Sequence, residues 1–125
     1  MLNPEPDKII NTIIDKTRNN ELTWRLITSE DQLPVPLAYR NTHPDLNNSY
    51  IATANDLIFY LAHITRISGR DGSKFTGYEL VISCNDDFYI PDIEQPALYE
   101  LATDIEFILN KEFSILSKVN AFISD

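Results

Sequence analysis

Apolar residues recur at a helical period through the last quarter of the chain. As a single helix, this stretch would be longer than a domain of this size. Large apolar residues recur every three or four positions from 96 to 123, which is the spacing of one helix face. A single helix over that range is about 40 Å long. A domain of 125 residues has a radius of gyration of only about 14 Å. The helix must therefore break, or project beyond the domain.

Glu112 lies near the middle of this apolar stripe and separates the two alternatives. An ionised carboxylate on an apolar face favours a break at 110–114, or an opening of that face to solvent. We expect the break. If the helix is straight instead, its apolar end at 113–123 requires a partner chain. The apolar positions of the stripe are Leu98, Leu101, Ala102, Ile105, Ile108, Leu109, Ile115, Leu116, Val119, Phe122 and Ile123.

The rest of the chain predicts one further helix and several strands. Four isoleucines between 9 and 14 form one face of a helix that starts at Asp7, the expected N-cap, and ends near the asparagines at 19–20. The fold class is therefore α+β, with an N-terminal helix, an antiparallel sheet of about four or five strands, and a long or broken C-terminal helix packed on the sheet. Strands are predicted from apolar runs at 22–27, 50–53, 57–64, 78–84 and 88–90.

Residues 29–48 form the longest stretch without a regular pattern. Three of the seven prolines, Pro34, Pro36 and Pro44, lie in it among many Asn and Asp residues. A loop of this length in a compact domain is often a binding loop or a mobile one. We expect residues 1–125 to form a single domain that contains this irregular loop.

The net charge of −9, from 19 acidic and 10 basic residues, limits the classes of partner. Nucleic acids and anionic membranes are bound by clustered Lys and Arg, whereas the basic residues of this chain are scattered. We therefore expect neither direct nucleic-acid binding nor membrane binding. The first residues lack the basic start and apolar run of a signal peptide, and Cys84 has no cysteine to pair with. These features predict a cytoplasmic protein.

Catalytic and metal-binding motifs are absent from the sequence. The one candidate nucleophile is Cys84 with His43 or His63 as its base, but a cysteine on the apolar face of a strand is usually a small core residue. Two histidines and one cysteine match no zinc spacing, and the acidic stretch 86–94 lacks the ligand order of a calcium loop. We expect no enzyme, no metal and no cofactor.

The segment between Lys74 and Lys111 contains eight acidic residues and no basic one. Such a block is commonly a solvated surface, and the alternative is a negative patch that attracts a basic partner. Phe107 favours the patch, because it lies on the outer side of the predicted helix, unless another element of the monomer covers it. The predicted partner-binding residues are Asp86, Asp87, Asp92, Glu94, Glu100, Asp104 and Phe107.

The segment Thr17-Arg18-Asn19-Asn20-Glu21-Leu22-Thr23-Trp24, after the isoleucine helix, resembles the opening of a group of short uncharacterised bacterial and phage proteins. In that group a helix is followed by Thr, four residues, Leu, one residue and Trp, and then by strands and a closing helix. The resemblance covers the first 28 residues and continues as architecture alone. It implies no catalytic residue.

These observations lead to two functional hypotheses. The first is a non-enzymatic interaction protein, such as a small inhibitor or immunity-type protein, that binds the basic surface of a nuclease or another nucleic-acid-binding protein through the acidic residues and Phe107. The alternative is a homo-oligomeric structural or accessory protein, for example a homodimer, that uses 113–123 of the C-terminal helix as its interface.

Overall fold

A computed structural model describes residues 4–38 and 41–124 of the protein, with backbone alone at 111–114 and 117. The α+β class, with a helix, an antiparallel sheet and a closing helix in that order, is confirmed. The elements are α1 (Pro6–Arg18), β1 (Trp24–Leu26), two 3₁₀ turns (Glu30–Gln32 and Val35–Leu37), β2 (Thr42–Ala54), β3 (Leu57–Ile67), β4 (Lys74–Cys84), β5 (Asp87–Tyr89) and α2 (Gln95–Ser124).

The five strands form one antiparallel sheet in the order β1-β2-β3-β4-β5. Two of the connections are tight turns, in which Asn55 and the pair Asn85-Asp86 have positive φ values of 56°, 50° and 71°. Asn and Asp tolerate this left-handed conformation better than other residues with side chains. β3 is the central strand, which explains why its sequence is apolar on both faces.

Both faces of the sheet are covered. On one face α1 and α2 pack against strand residues that include Trp24, Leu61 and Leu80. On the other face, the segment with the two 3₁₀ turns places Leu37 against the strands, where it is fully buried. The first part of the loop predicted at 29–48 therefore covers the second face of the sheet.

The second part of that predicted loop is a strand. β2 begins at Thr42, and its ladder with β3 is interrupted by a bulge between Asp45 and Tyr50. The Asp45 carboxylate holds the bulge by accepting hydrogen bonds from Asn47 N at 3.1 Å and Asn48 Nδ2 at 2.6 Å. Pro44 is tolerated because β1 pairs with β2 only at 50–52, so the other edge of β2 is free at this point.

The start of α1 differs from the prediction by two residues. Its N-cap is Glu5 and not Asp7, because Pro6 occupies the first helical turn, where its fixed φ and missing N–H fit. Asp7 lies in the first turn instead, near the positive end of the helix dipole. The helix ends at Arg18 as expected from the asparagines, with Asn20 at φ 59°.

A buried hydrogen-bond relay joins α1 to the sheet. The Trp24 indole Nε1 donates to Thr17 Oγ1 at 2.9 Å, and the Thr17 hydroxyl donates to Ile13 O at 2.8 Å. Both side chains are buried, so each polar group needs the other. The spacing from Thr17 to Trp24 thus fixes the helix against the first strand.

The predicted break in the closing helix is wrong. α2 runs without interruption for 30 residues, a length of about 45 Å. After Pro96 it contains no Gly or Pro, and a formed helix propagates through one unfavourable side chain at little cost. The side chain of Glu112, on which the prediction depended, lies outside the described residues.

The start of α2 is attached to the open edge of β4. Gln95 Oε1 accepts from Tyr78 N at 2.9 Å, and Gln95 Nε2 donates to Tyr78 O at 2.8 Å. β5 pairs with β4 only at 82–84, so the N–H and C=O of Tyr78 have no partner strand on this edge. The Gln95 amide binds both groups, as a peptide group of a neighbouring strand would. Gly77 provides the space, since a Cβ there would collide with Gln95 Oε1 and lie 3.0 Å from Gln95 Cδ.

Replacing Gly77 by Ala should therefore displace the Gln95 amide and lower the free energy of unfolding by about 1–3 kcal/mol. The matched control is Gly69→Ala, where no atom lies within 4 Å of the added Cβ, and a change within about 0.5 kcal/mol is expected. Urea unfolding of both variants measures the difference. Equal destabilisation by the two would show that the Gln95 contact is unimportant.

Candidate partner-binding surfaces

The apolar stripe of α2 is buried in its first half and exposed in its last third. Leu101 and Ile105 are 0% and 1% exposed, whereas Phe122 and Ile123 are 81% and 72% exposed. We call residues 115–124 the distal segment. Its exposed apolar side chains share one helix face and are Ile115, Leu116, Val119, Phe122 and Ile123.

The exposure follows from the width of the sheet. α2 starts beside β4, where Gln95 binds Tyr78, and reaches β2, where the Tyr50 hydroxyl donates to Glu106 Oε1 at 3.2 Å. At Leu109 it passes the β1 end of the sheet, close to Trp24. Since β1 is the edge strand, the distal segment extends beyond the sheet with its apolar face uncovered by the described residues.

The predicted acidic residues do not form a single patch. Asp86 lies in the turn between β4 and β5 and Asp87 begins β5, both at the end of β4 that is remote from Tyr78. Tyr78 and Cys84 are six positions apart along β4, a distance of about 20 Å. Asp92 and Glu94 are exposed in the connection from β5 to α2, while Glu100 and Asp104 lie on α2 itself.

A basic residue of α1 is paired with the two acidic residues of α2. Arg18 Nε donates to Asp104 Oδ2 at 2.8 Å, and Arg18 Nη2 donates to Glu100 Oε1 at 2.9 Å. The hydrogen bond to Asp104, and then that to Glu100, raises the pKa of the Arg18 guanidinium. The pairing reduces the negative potential at both carboxylates. Sequence spacing did not indicate it, because Arg18 is 86 residues from Asp104.

Phe107 points away from the sheet and is 68% exposed. It lies one helical turn beyond Asp104 on the outer side of α2. The alternative that another element of the monomer covers it is wrong for the part of the chain that the structure describes.

The candidate catalytic residues are not brought together. His63 pairs in register with Tyr78 and so shares the helix-covered face of the sheet with Cys84, but about 20 Å of β4 separates the two. His43 pairs with Thr65, further still from Cys84. Among the side chains that the structure describes, there is also no group of three His, Cys, Asp or Glu placed to hold a metal ion.

Three aromatic rings meet where α2 crosses β3 and β4, a surface that we call the aromatic corner. The Tyr78 ring makes edge-to-face contacts with His63 and with Tyr99 of α2, each at 5.0 Å between centroids. Glu106 lies on the same flank of α2 as Tyr99, seven residues further on. Burial raises the pKa of the Tyr78 phenol to about 12, and the charges of Glu106, Tyr99 and Asp45 contribute in the same direction.

A second apolar surface is a groove of about 760 Å³ between α1 and the turn end of the sheet. Ile9 of α1 forms one wall, and Leu57 and Tyr89, both partly exposed, lie at the strand side. The sequence pattern gave no sign of it, because each of these residues occupies an ordinary apolar position of its element.

The raised pKa of Tyr78 makes stability depend on pH above 10. The folded state retains the phenol proton up to about pH 12, whereas the unfolded chain loses it near pH 10. The stabilisation is complete below pH 10 and is lost as the pH rises from 10 to 12. In Tyr78→Phe this decline should be shallower than in the unmodified protein, as measured by urea unfolding across that range.

Comparisons with protein-family models, with curated proteins and with solved structures find no significant match to this chain. Among the residues described here, no helix has both the length and the apolar character needed to cross a membrane.

Proposed function

We propose that the protein is a non-enzymatic interaction module that self-associates through the distal segment of α2. The observation that supports this is the uninterrupted helix, which presents five large apolar side chains of the distal segment on one uncovered face. A contiguous apolar helix face exposed in a monomer is a feature of protein–protein interfaces.

A second copy is the partner that the charges favour. Of the ten residues of the distal segment, Lys118 is the only charged one. Two distal segments therefore approach each other without the acid–acid repulsion that opposes contact elsewhere on a chain of net charge −9. Because this segment has no acidic residue, it has nothing that attracts a basic partner.

The spacing of the stripe also suits a pair of helices. Within the distal segment, the steps from Leu116 to Val119 and from Val119 to Ile123 are three and four residues. This is the a and d pattern by which two helices pack side by side. A short interface of this kind is small compared with those of permanent dimers, so we expect association to depend on concentration.

Leu116→Asp should abolish self-association, because it places a charge at the centre of the stripe. Ala121→Asp is the matched control, since Ala121 is exposed on the opposite side of the same helix and the charge change is identical. Light scattering over a range of about a hundredfold in protein concentration measures the mass. A mass that remains that of one chain in the unmodified protein at the highest concentration would contradict self-association.

A second candidate function is binding to a basic protein, such as a nuclease, in the cytoplasm. Phe107, 68% exposed beside Glu100 and Asp104, is the observation that favours it, as an apolar anchor within an acidic rim. The scattered arrangement of Asp86, Asp87, Asp92 and Glu94 contributes long-range attraction rather than direct contact.

Arg18→Gln should then increase the association rate with a basic partner, because it releases the carboxylates of Glu100 and Asp104. Arg25→Gln makes the same change of charge at an exposed residue of β1 and is the control. Glu100→Lys with Asp104→Lys should slow association and weaken its salt dependence. Stopped-flow mixing at several salt concentrations measures the rates, and equal rates for the two arginine variants would argue against a steering role for this surface.

A further inference from the structure

We propose that the aromatic corner binds an organic cation, and that its ligand is a guanidinium or ammonium group. The site is formed by Tyr99 and His63 as aromatic surfaces, which the buried ring of Tyr78 supports, with Glu106 and Asp45 as the negative groups. The proposal does not rest on self-association, because the corner lies on the first half of α2 and includes no residue of the distal segment.

The corner lies at the angle between the flank of a helix, which we call the wall, and the surface of the sheet, which we call the floor. α2 forms the wall with Tyr99 and Glu106 on one flank, while β3 and β4 form the floor with His63 and Tyr78. The floor continues beyond α2 as exposed strand, where the Thr65 and Thr76 hydroxyls lie 3.3 Å apart. A ligand therefore has open access from the hairpin side.

The aromatic surfaces suit a cation. Tyr99 is 44% exposed and its edge-to-face contact with Tyr78 leaves ring surface available to solvent. Tyr78 is held in place by contacts with a ring on either side, so the arrangement is formed before a ligand arrives. A cation over a ring of this kind is attracted by the ring quadrupole, more strongly where it is partly desolvated.

The carboxylates supply the negative charge. Glu106 accepts from the Tyr50 hydroxyl through Oε1, and an ionised carboxylate has further lone pairs for a charged donor. Among the described side chains, which exclude those at 111–114 and 117, the ion pairs engage Glu21, Glu79, Glu100 and Asp104, and none engages Asp45 or Glu106. Burial is the main cause that raises the pKa of Tyr50 and of Tyr78, and the charges of Glu106 and Asp45 add to it, which places both carboxylates within electrostatic range of the two phenols.

Other classes of ligand fit less well. An anion would meet two carboxylates, with no Lys or Arg in the corner among the described side chains. A metal ion needs several ligands at close range, and the described residues contain no group of three that converges. A flat or extended organic cation requires only ring faces and one or two carboxylate oxygens, which the corner offers.

The test is a titration of the full chain with a tetra-arginine peptide and separately with arginine amide, followed through the NMR signals of the Tyr78 and Tyr99 rings. We expect shifts that saturate, and an affinity that is about tenfold weaker in Tyr99→Leu and in Glu106→Gln. Glu94→Gln is the control, since it removes one negative charge from an exposed position outside the corner. Circular dichroism establishes whether each variant is folded. If Glu106→Gln does not fold, the affinity of Tyr99→Leu tests the proposal.

The two ligands distinguish the source of the cation. Saturable binding of the peptide alone indicates a basic side chain of a protein partner, and equal binding of arginine amide indicates a free small amine. Shifts that do not saturate, or equal weakening in Glu94→Gln, would show general attraction to an acidic protein and would overturn the proposal. Neither result changes the mass measured for self-association, so the two proposals fail independently.

Discussion

The length of α2 relative to the width of its sheet is the constraint on which the rest of the structure depends. Five strands at about 4.8 Å spacing give a sheet about 20 Å wide, whereas 30 helical residues extend for about 45 Å. The first half of the helix buries Leu101 and Ile105 and completes the core. The last third has no sheet left to cover, so its apolar face is available for another chain.

Specific polar contacts determine where α2 lies and therefore where the distal segment points. The Gln95 amide attaches the start of the helix to β4, and Arg18 ties Glu100 and Asp104 to the end of α1. α1 is itself fixed to the sheet through the buried Trp24 indole. The same placement brings Tyr99 against Tyr78 of β4 and Glu106 against Tyr50 of β2, and so forms the aromatic corner.

Sequence periodicity predicted the element order and class, because the isoleucines of α1 and the apolar run of β3 are local patterns. It failed where the outcome depends on distant contacts. The break expected at 110–114 rested on one charged residue, and a helix without Gly or Pro propagates past it. The pairing of Arg18 with Asp104 and the meeting of Tyr78 with Tyr99 join residues that are far apart in the chain, and no spacing rule indicates such pairs. The strand start at Thr42 was missed because Pro44 and the Asn residues resemble a loop.

The central claim, that α2 is one helix whose distal segment is covered by a second copy, is tested most directly by amide hydrogen exchange of residues 115–123 at several protein concentrations. An unpaired projecting helix end frays and exchanges fast, whereas pairing protects it. The account predicts protection that increases with protein concentration in this segment, while exchange near Leu101 stays constant. Fast exchange of 115–123 at every concentration would contradict it.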